Sequence, residues 1–592
     1  MNFFKSLMAS CLGVILAMVV VFFIGSMIIG GLLKSASKNE VSVKSNSVLN
    51  LNFKETIPEK TDNLESGSFS LKDDKTYGIT DILKTIEIAS TDDDIKGIFL
   101  DLSDVNMGKA TASTLRKALV DFKEKGKFIT AYAEGYSQNA YYLASVANTV
   151  YVHPLGDIDF RGYAAQIPFF KDMLDKLGVK MQVYYVGQFK GATEPYRLEK
   201  MSDPNRLQTR EYLEGLYQVY LSDIAKSRNT SVETLRSLAN EYKIRKAEDA
   251  LQYKLVDKIG YRDEVLAELK SKLSLKEADK INAINLEDYA SAKLKDPDLS
   301  IKDKIAVVYA EGEIVDGKGE NGKVGGKKYA DLLRDIRMDD KVKAIVLRVN
   351  SPGGSGLASE NIWRELKLAK EAGKPVVVSM GDYAASGGYY ISCMADSIFA
   401  QPNTLTGSIG VFGIIPSVQK TLKDKAGISF DTVKTGKFAA SFSPFFEINA
   451  EEGKIIQESV DMFYDRFLKR VSDGRKMTKE KVHEIAQGRV WTGTKATTIG
   501  LVDRIGSLDD AITCAANLSG VKKYRTSEYP KTKEKFQKLV DKLNGDEDED
   551  KELFAKSILK SQLGEYFPFL EEIKSIKNMK GPQARLPFVI EN

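Results

Sequence analysis

Two segments of this 592-residue chain set reactive groups at sharp turns. The run Ala344–Val349 reads as a buried strand, and Asn350-Ser-Pro-Gly-Gly-Ser355 follows it. A Pro-Gly-Gly after such a strand turns sharply and presents bare backbone N–H groups, which can bind an oxyanion. The next strand, Pro375–Ser379, leads into Met380-Gly-Asp-Tyr-Ala-Ala-Ser386-Gly-Gly, and a helix over Gly387–Ala395 is expected directly after it. A serine at a strand-to-helix turn lies near a helix N-terminus, where its own and the following N–H groups are free. Taken alone, Ser386 reads equally well as an N-cap. It is not a G-x-S-x-G elbow, because Ala384 replaces the first glycine.

A serine nucleophile needs a base. The chain holds only two histidines. His153 reads as a strand-end residue and His483 lies in a short polar helix, Lys479–Gln487, so both read as ordinary surface or packing residues. Lysine is the alternative, provided burial lowers its pKa toward neutrality. Lys190, in Tyr184-Tyr-Val-Gly-Gln-Phe-Lys190-Gly-Ala-Thr-Glu-Pro-Tyr196, is the candidate. A lone lysine is ordinarily a surface charge; an internal repeat is what singles this one out.

Ile95-Lys-Gly-Ile-Phe-Leu-Asp-Leu102 matches Val342-Lys-Ala-Ile-Val-Leu-Arg-Val349, and Leu255-Val-Asp-Lys-Ile-Gly260 matches Leu501-Val-Asp-Arg-Ile-Gly506. Between them Tyr141-Tyr142 align with Tyr389-Tyr390, Pro154 with Pro402 and Gly187 with Gly436. Ordered matches at a near-constant offset define two homologous domains, about 46–280 and 301–520. Ser386 then faces Gln138, Lys190 faces Ala439, and the Pro-Gly-Gly turn faces Ser103-Asp-Val-Asn-Met-Gly. Each repeat keeps what the other lacks, which points to one composite site. In the second repeat Ile305–Ala310, Ala344–Val349, Pro375–Ser379 and Ser397–Ala400 read as strands and Ala358–Ala372 as a helix. That alternation predicts an α/β fold with mostly parallel strands. A longer amphipathic helix follows at about Ala450–Ser472, with its counterpart at about Arg206–Ser227.

Other chemistries fit poorly. Gly317-Lys-Gly-Glu-Asn-Gly322 matches G-x-G-x-x-G, but it does not open into a helix. Val324 stands where a P-loop needs Ser or Thr, and Arg348 where a ribose-binding acid is expected. The 86 basic and 82 acidic residues give a net charge of +4, too near balance for a nucleic-acid-binding chain. Cys11, Cys393 and Cys514 form no CxxC or Cys/His cluster, so neither a disulfide framework nor a structural zinc site is expected.

The termini differ from the body. Ser6–Leu33 holds no charged residue, and a bilayer core needs ~20 apolar residues as helix. The run reads as an uncleaved anchor over residues 1–34, although Ser35-Ala36-Ser37 could pass as a cleavage site. Lys5 on one side and Lys34 and Lys38 on the other leave the orientation open on charge alone. Residues 521–592 break the repeat pattern, and their acidic run Asp546–Asp550 reads as a solvated linker.

Together with Thr406-Gly-Ser-Ile-Gly-Val411, these motifs resemble the signal peptide peptidase A family in its long, duplicated bacterial form. The resemblance covers roughly residues 1–520. It implies two tandem ClpP/crotonase-like repeats of β-β-α units behind a single transmembrane helix. It also implies a homotetrameric serine endopeptidase of the bacterial inner membrane, its catalytic domain on the periplasmic side. The substrates implied are cleaved signal peptides and other hydrophobic peptides; no metal, cofactor or nucleic acid is implied. The family's nucleophile falls on Ser386 and its general base on Lys190. By similarity to the wider fold, the N–H groups of Gly354 and Gly387 would form the oxyanion hole. Two rivals predict other features. A crotonase-like acyl-CoA enzyme needs a basic adenine and pyrophosphate site, and the chain shows no basic cluster for one. An inactive membrane scaffold has no reason to keep both Ser386 and Lys190.

Overall fold

A computed structural model describes residues 42–61, 76–320, 322–531 and 582–585, besides the isolated positions 13 and 18. The apolar run read as an anchor and the acidic run 546–550 lie outside the described residues. Among those described, no helix is long and apolar enough to cross a membrane.

The repeat is visible as strand order. The first sheet comprises β1 (Ser47–Leu51), β2 (Ile95–Asp101), β3 (Phe128–Ala133), β4 (Thr149–Val152), β6 (Lys258–Ile259) and β7 (Asn282–Asn285). Its strands run parallel in the order β6-β4-β3-β2-β1-β7. The second half contributes β8 (Lys304–Glu311), β11 (Val342–Ser351), β13 (Val376–Ala385), β14 (Ser397–Ala400), β18 (Arg504–Ile505) and β19 (Arg525–Tyr529). They pair in the same succession, β18-β14-β13-β11-β8-β19, again parallel. The sheet also takes in β15 (Leu405–Gly407) and β17 (Val490–Thr492). β7 and β19 each close their sheet a few residues beyond the limits of 280 and 520 drawn from the sequence. Apolar runs such as Ala344–Val349 form central strands because parallel sheets are covered on both faces. The buried Tyr141 hydroxyl donates to Leu255 O and its counterpart Tyr389 to Leu501 O, so the duplication extends to single hydrogen bonds.

A third sheet joins the halves. Its strands are β5 (Lys180–Tyr185), β9 (Ile314–Val315), β10 (Val324–Gly325), β12 (Gly353–Ser355), β16 (Phe412–Ser417) and β20 (Gln583–Arg585), in the order β10-β9-β12-β20-β16-β5. The glycine-rich 316–323 segment is the connection between β9 and β10. β5, from the first repeat, lies antiparallel to β16, with Tyr185 opposite Phe412 and Lys180 opposite Ser417.

Two buried polar contacts add to this junction. Asp382 accepts from the N–H groups of Ala110 (2.7 Å) and Thr111 (3.1 Å) and from the Thr111 hydroxyl (2.6 Å), at the N-terminus of the helix Lys109–Glu124. A carboxylate there satisfies orphan donors and the helix dipole together. Glu59 reaches across to Arg348 (2.8 Å), whose guanidinium also donates to Ser379 Oγ and Met380 O. Both partners are buried, so removing one leaves the other charge unpaired in the interior. Glu59→Ala is therefore expected to cost about 3–5 kcal/mol and to lower Tm clearly in a thermal melt. Lys117→Ala, at an exposed ion pair, should leave Tm nearly unchanged.

Candidate active site

Ser386 sits where β13 ends and the helix Gly387–Ser392 begins. Its backbone is strained, with φ 54° and ψ −113°, a conformation a serine holds only when its surroundings impose it. Its N–H donates to Gly407 O (2.8 Å), so this group is not free, contrary to the expectation from the turn. The N-cap alternative also fails, because the Ser386 side chain makes no capping bond. In the first repeat Ser137 is the cap instead, accepting from Ala140 N, one place before Gln138. Gln138 turns its amide to Gly162 O (3.1 Å).

Lys190 arrives from the first repeat on the arm that follows β5. Its Nζ stands 2.9 Å from Ser386 Oγ. The side chain is fully buried, and Nζ also meets Ser408 O (3.2 Å) and Ser408 Oγ (3.0 Å). Burial drives its pKa well below the ordinary lysine value; among the described residues no charged partner opposes the shift. An ammonium would donate to all three oxygens. A neutral amine has two N–H groups, which the two Ser408 acceptors can take, and one lone pair left to face the Ser386 hydroxyl. Gly488, at φ 82°, lets the arm lie close: a Cβ there would meet the Lys190 backbone and Cβ at 2.7 Å. Ala439 repeats the local turn of Lys190, its N–H bonding Gly436 O as the Lys190 N–H bonds Gly187 O, but Ala439 is exposed and has no amine.

The two glycines named for oxyanion binding come together. A Cβ on Gly387 would lie 3.2 Å from Gly354 N. Gly354 has φ 151°, and a Cβ there would approach Ile314 O to 2.0 Å, so only glycine fits. The histidines lie elsewhere. His153 Nδ1 accepts from Leu155 N, and His483 Nδ1 pairs with the Tyr464 hydroxyl.

Sequence reading missed Ser408. It stands in the run Thr406–Val411, whose resemblance to the family was noted without a role for any of its residues. Asp382 and Arg348 were also passed over as functional supports: Asp382 lies four places before Ser386, and Arg348 read only as a misfit to a nucleotide site.

The sequence profile of peptidase family S49 matches residues 121–276 and 368–522, one stretch in each repeat. The chain belongs to peptidase family S49. Protease 4 of Salmonella typhi is 40% identical over 480 residues, 78% of this chain and 76% of that protein. Protease 4 of Haemophilus influenzae is 38% identical over 450 residues, 74% of this chain and 72% of that protein. A putative signal peptide peptidase SppA of Enterococcus faecium is 40% identical over 215 residues, 35% of this chain and 62% of that protein. Among solved structures, a ClpP1 mutant of Listeria monocytogenes aligns at 16% identity and a TM-score of 0.24, covering 35% of this chain and 94% of that one. This S49 chain is a serine peptidase of the long, duplicated form.

The lowered pKa of Lys190 sets two expectations for this S49 enzyme. Activity that needs the neutral amine rises with pH, and the rising limb of kcat/KM should lie well below the ordinary lysine range. The unfolded chain's amine keeps the ordinary lysine pKa, so between the lowered pKa and the ordinary one folding expels a proton. Stability from this group thus increases with pH from its lowered pKa up to the ordinary one. Lys190→Met, which fills similar volume without that cost, is expected to raise Tm at neutral pH and to abolish the peptidase activity.

Proposed function

We propose that this chain is a membrane-anchored serine endopeptidase that degrades cleaved signal peptides and other hydrophobic peptides with a Ser386–Lys190 dyad. The observation that carries the reading is a buried, uncompensated amine 2.9 Å from a strained serine hydroxyl. Ser386 Oγ attacks the peptide carbonyl carbon while Lys190 Nζ takes the hydroxyl proton. The N–H groups of Gly354 and Gly387 hold the oxyanion of the tetrahedral intermediate. Lys190 passes its proton to the leaving amine, and an ester to Ser386 remains. Water then attacks the ester, Lys190 again accepts a proton, and the serine is regenerated.

The substrate class rests on the signal peptide peptidase named among the relatives. The uncharged run Ser6–Leu33 supports a single-pass anchor; a bacterial inner membrane, with the body on the periplasmic side, rests on the family resemblance alone. The two repeats are read as ClpP/crotonase-like units, which their parallel sheets support.

A homotetramer is part of the same proposal. In the first repeat the arm after β5 docks on the second repeat. The matching arm of the second repeat, about 428–446, carries exposed Ile428, Phe430, Val433, Phe438, Phe442 and Phe445. The stretch of the first repeat that matches β16, with Ile167-Pro168 against Ile415-Pro416, pairs with no strand among the described residues. Arm and seat on opposite ends of one chain give head-to-tail contacts, which close into rings. Phe430→Asp combined with Phe445→Asp should yield monomers by light scattering, where the parent chain is tetrameric.

Digestion of a synthetic signal peptide, read by mass spectrometry, tests the chemistry. Ser386→Ala and Lys190→Ala should each lower turnover by ~10³-fold or more, and the double variant should be no worse than either. Robust turnover by Lys190→Ala would sink the lysine assignment.

A further inference from the structure

Phe189, the residue before Lys190, is gripped at both of its backbone groups. Its N–H donates to Gln487 O (3.0 Å) in the second repeat. Its carbonyl accepts from Gly191 N (2.8 Å) and from Nε2 of the Gln208 side chain (2.8 Å). The other end of that amide reaches across the junction, where Gln208 Oε1 accepts from Val490 N (3.1 Å). Gln208 thus ties the lysine turn to the 487–490 segment as a neighbouring strand would, with one donor and one acceptor. Between these anchors lies Gly488, which abuts Lys190. The Arg489 guanidinium, paired with Glu211, lies over the Phe189 ring at 4.8 Å.

Gln208 stands on the helix Asp203–Arg228, three residues after Asn205, so the two side chains share a face. A side-chain amide can be turned end for end. A reversed Gln208 would set its oxygen against the Phe189 carbonyl and its NH2 against the Val490 N–H. The next link fixes the direction. Gln208 Nε2 also donates to Asn205 Oδ1 (2.9 Å), and Asn205 Nδ2 donates to Glu194 Oε2 (2.9 Å). As a carboxylate Glu194 only accepts, and it also takes the Ser202 N–H (3.1 Å). Glu194 therefore turns Asn205, Asn205 turns Gln208, and Gln208 presents an N–H to Phe189 O. Glu194, Asn205 and Gln208 are each 1% exposed. Polar groups so deeply buried are costly unless bonded. Here three of them converge on one carbonyl beside the base. A Cβ on Gly191 would meet the Asn205 amide at 2.6 Å, so the turn lies directly on this relay.

We propose that Gln208 is a positioning residue for Lys190, oriented through Asn205 by the Glu194 carboxylate, and that this relay holds the amine out of water and against Ser386. The proposal rests on the reading of Ser386 and Lys190 as the dyad. Lys190 lies between β5 and the short turn Gly191–Thr193, in a stretch with no strand or helix of its own. Its position is therefore set from outside. Once Phe189 O is released, the turn loosens, water reaches Nζ, and the amine keeps its proton at neutral pH. A misplacement of ~1 Å between reacting groups also costs ~10²-fold in rate.

The test compares the full parent chain with Gln208→Met, which fills similar volume without an amide. With a synthetic signal peptide as substrate, kcat should fall ~10²-fold with KM unchanged, because the relay touches the base and not the substrate. The rising limb of kcat/KM against pH should move up toward the ordinary lysine range. A variant that is merely less folded loses activity equally at every pH and leaves the limb in place. That result, or a kcat equal to the parent's, would overturn the proposal. Gln208→Asn, whose amide is one methylene short of Phe189 O, carries the same test should Gln208→Met not fold. Hydrogen exchange read by mass spectrometry separates the relay from the chemistry. In either variant the amides of residues 187–191 and 487–491 should exchange several-fold faster than in the parent, with those of β2 unchanged. Parent-like exchange in both segments also overturns the proposal. If the parent chain hydrolyses no peptide, the dyad reading fails, and the exchange result still decides whether Gln208 holds the turn.

Discussion

A primary amine buried without a counter-ion is the constraint on which this molecule depends. Lys190 is held among Ser386, Ser408 and glycine backbone, with no carboxylate among the described residues to keep it protonated. Such a group is tolerated only where water is excluded, and neither repeat excludes water from it alone. The lysine comes from one repeat and its surroundings from the other. The β5–β16 pairing, the Asp382 contact with the Lys109–Glu124 helix and the Glu59–Arg348 pair therefore serve the chemistry as much as the stability. Each lies at the junction, and Asp382 and Arg348 stand on strands that lead directly into the Ser386 and Pro-Gly-Gly turns.

Much of this was legible in the residues. The buried strands of the second repeat lie within a few residues of their expected limits, because fully covered parallel strands write themselves as continuous apolar runs. Strand Pro375–Ser379 proved longer, running to Ala385, since the small residues before Ser386 continue the extended backbone. The complementary losses at Gln138 and Ala439 pointed to Ser386 and Lys190 together, and the two side chains do meet.

The rest depends on contacts that sequence spacing does not encode. Ser408 supports Lys190 from a different strand connection in a different repeat, so no local pattern links the two. The Ser386 N–H looked free because a helix N-terminus leaves donors unpaired, yet the neighbouring strand end offers Gly407 O to it. β19 and β20 fall in a region without repeat signal. β19 is a short polar strand at a sheet edge, which has no strong apolar signature, and β20 is only three residues long.

The proposed dyad, divided between repeats, also fixes when in the life of a chain it can cut. Synthesis runs from the N-terminus, and domains fold largely as units as they emerge. The first repeat is complete once β7 pairs at Asn282–Asn285, and at that stage it displays an arm with a lysine and no serine. Ser386 appears about a hundred residues later, and its sheet is finished only when β19 pairs with β8. Until then the lysine arm has no apolar surroundings, its amine stays hydrated and charged, and it cannot act as a base. On the proposed dyad, a nascent chain is proteolytically silent until its two halves meet.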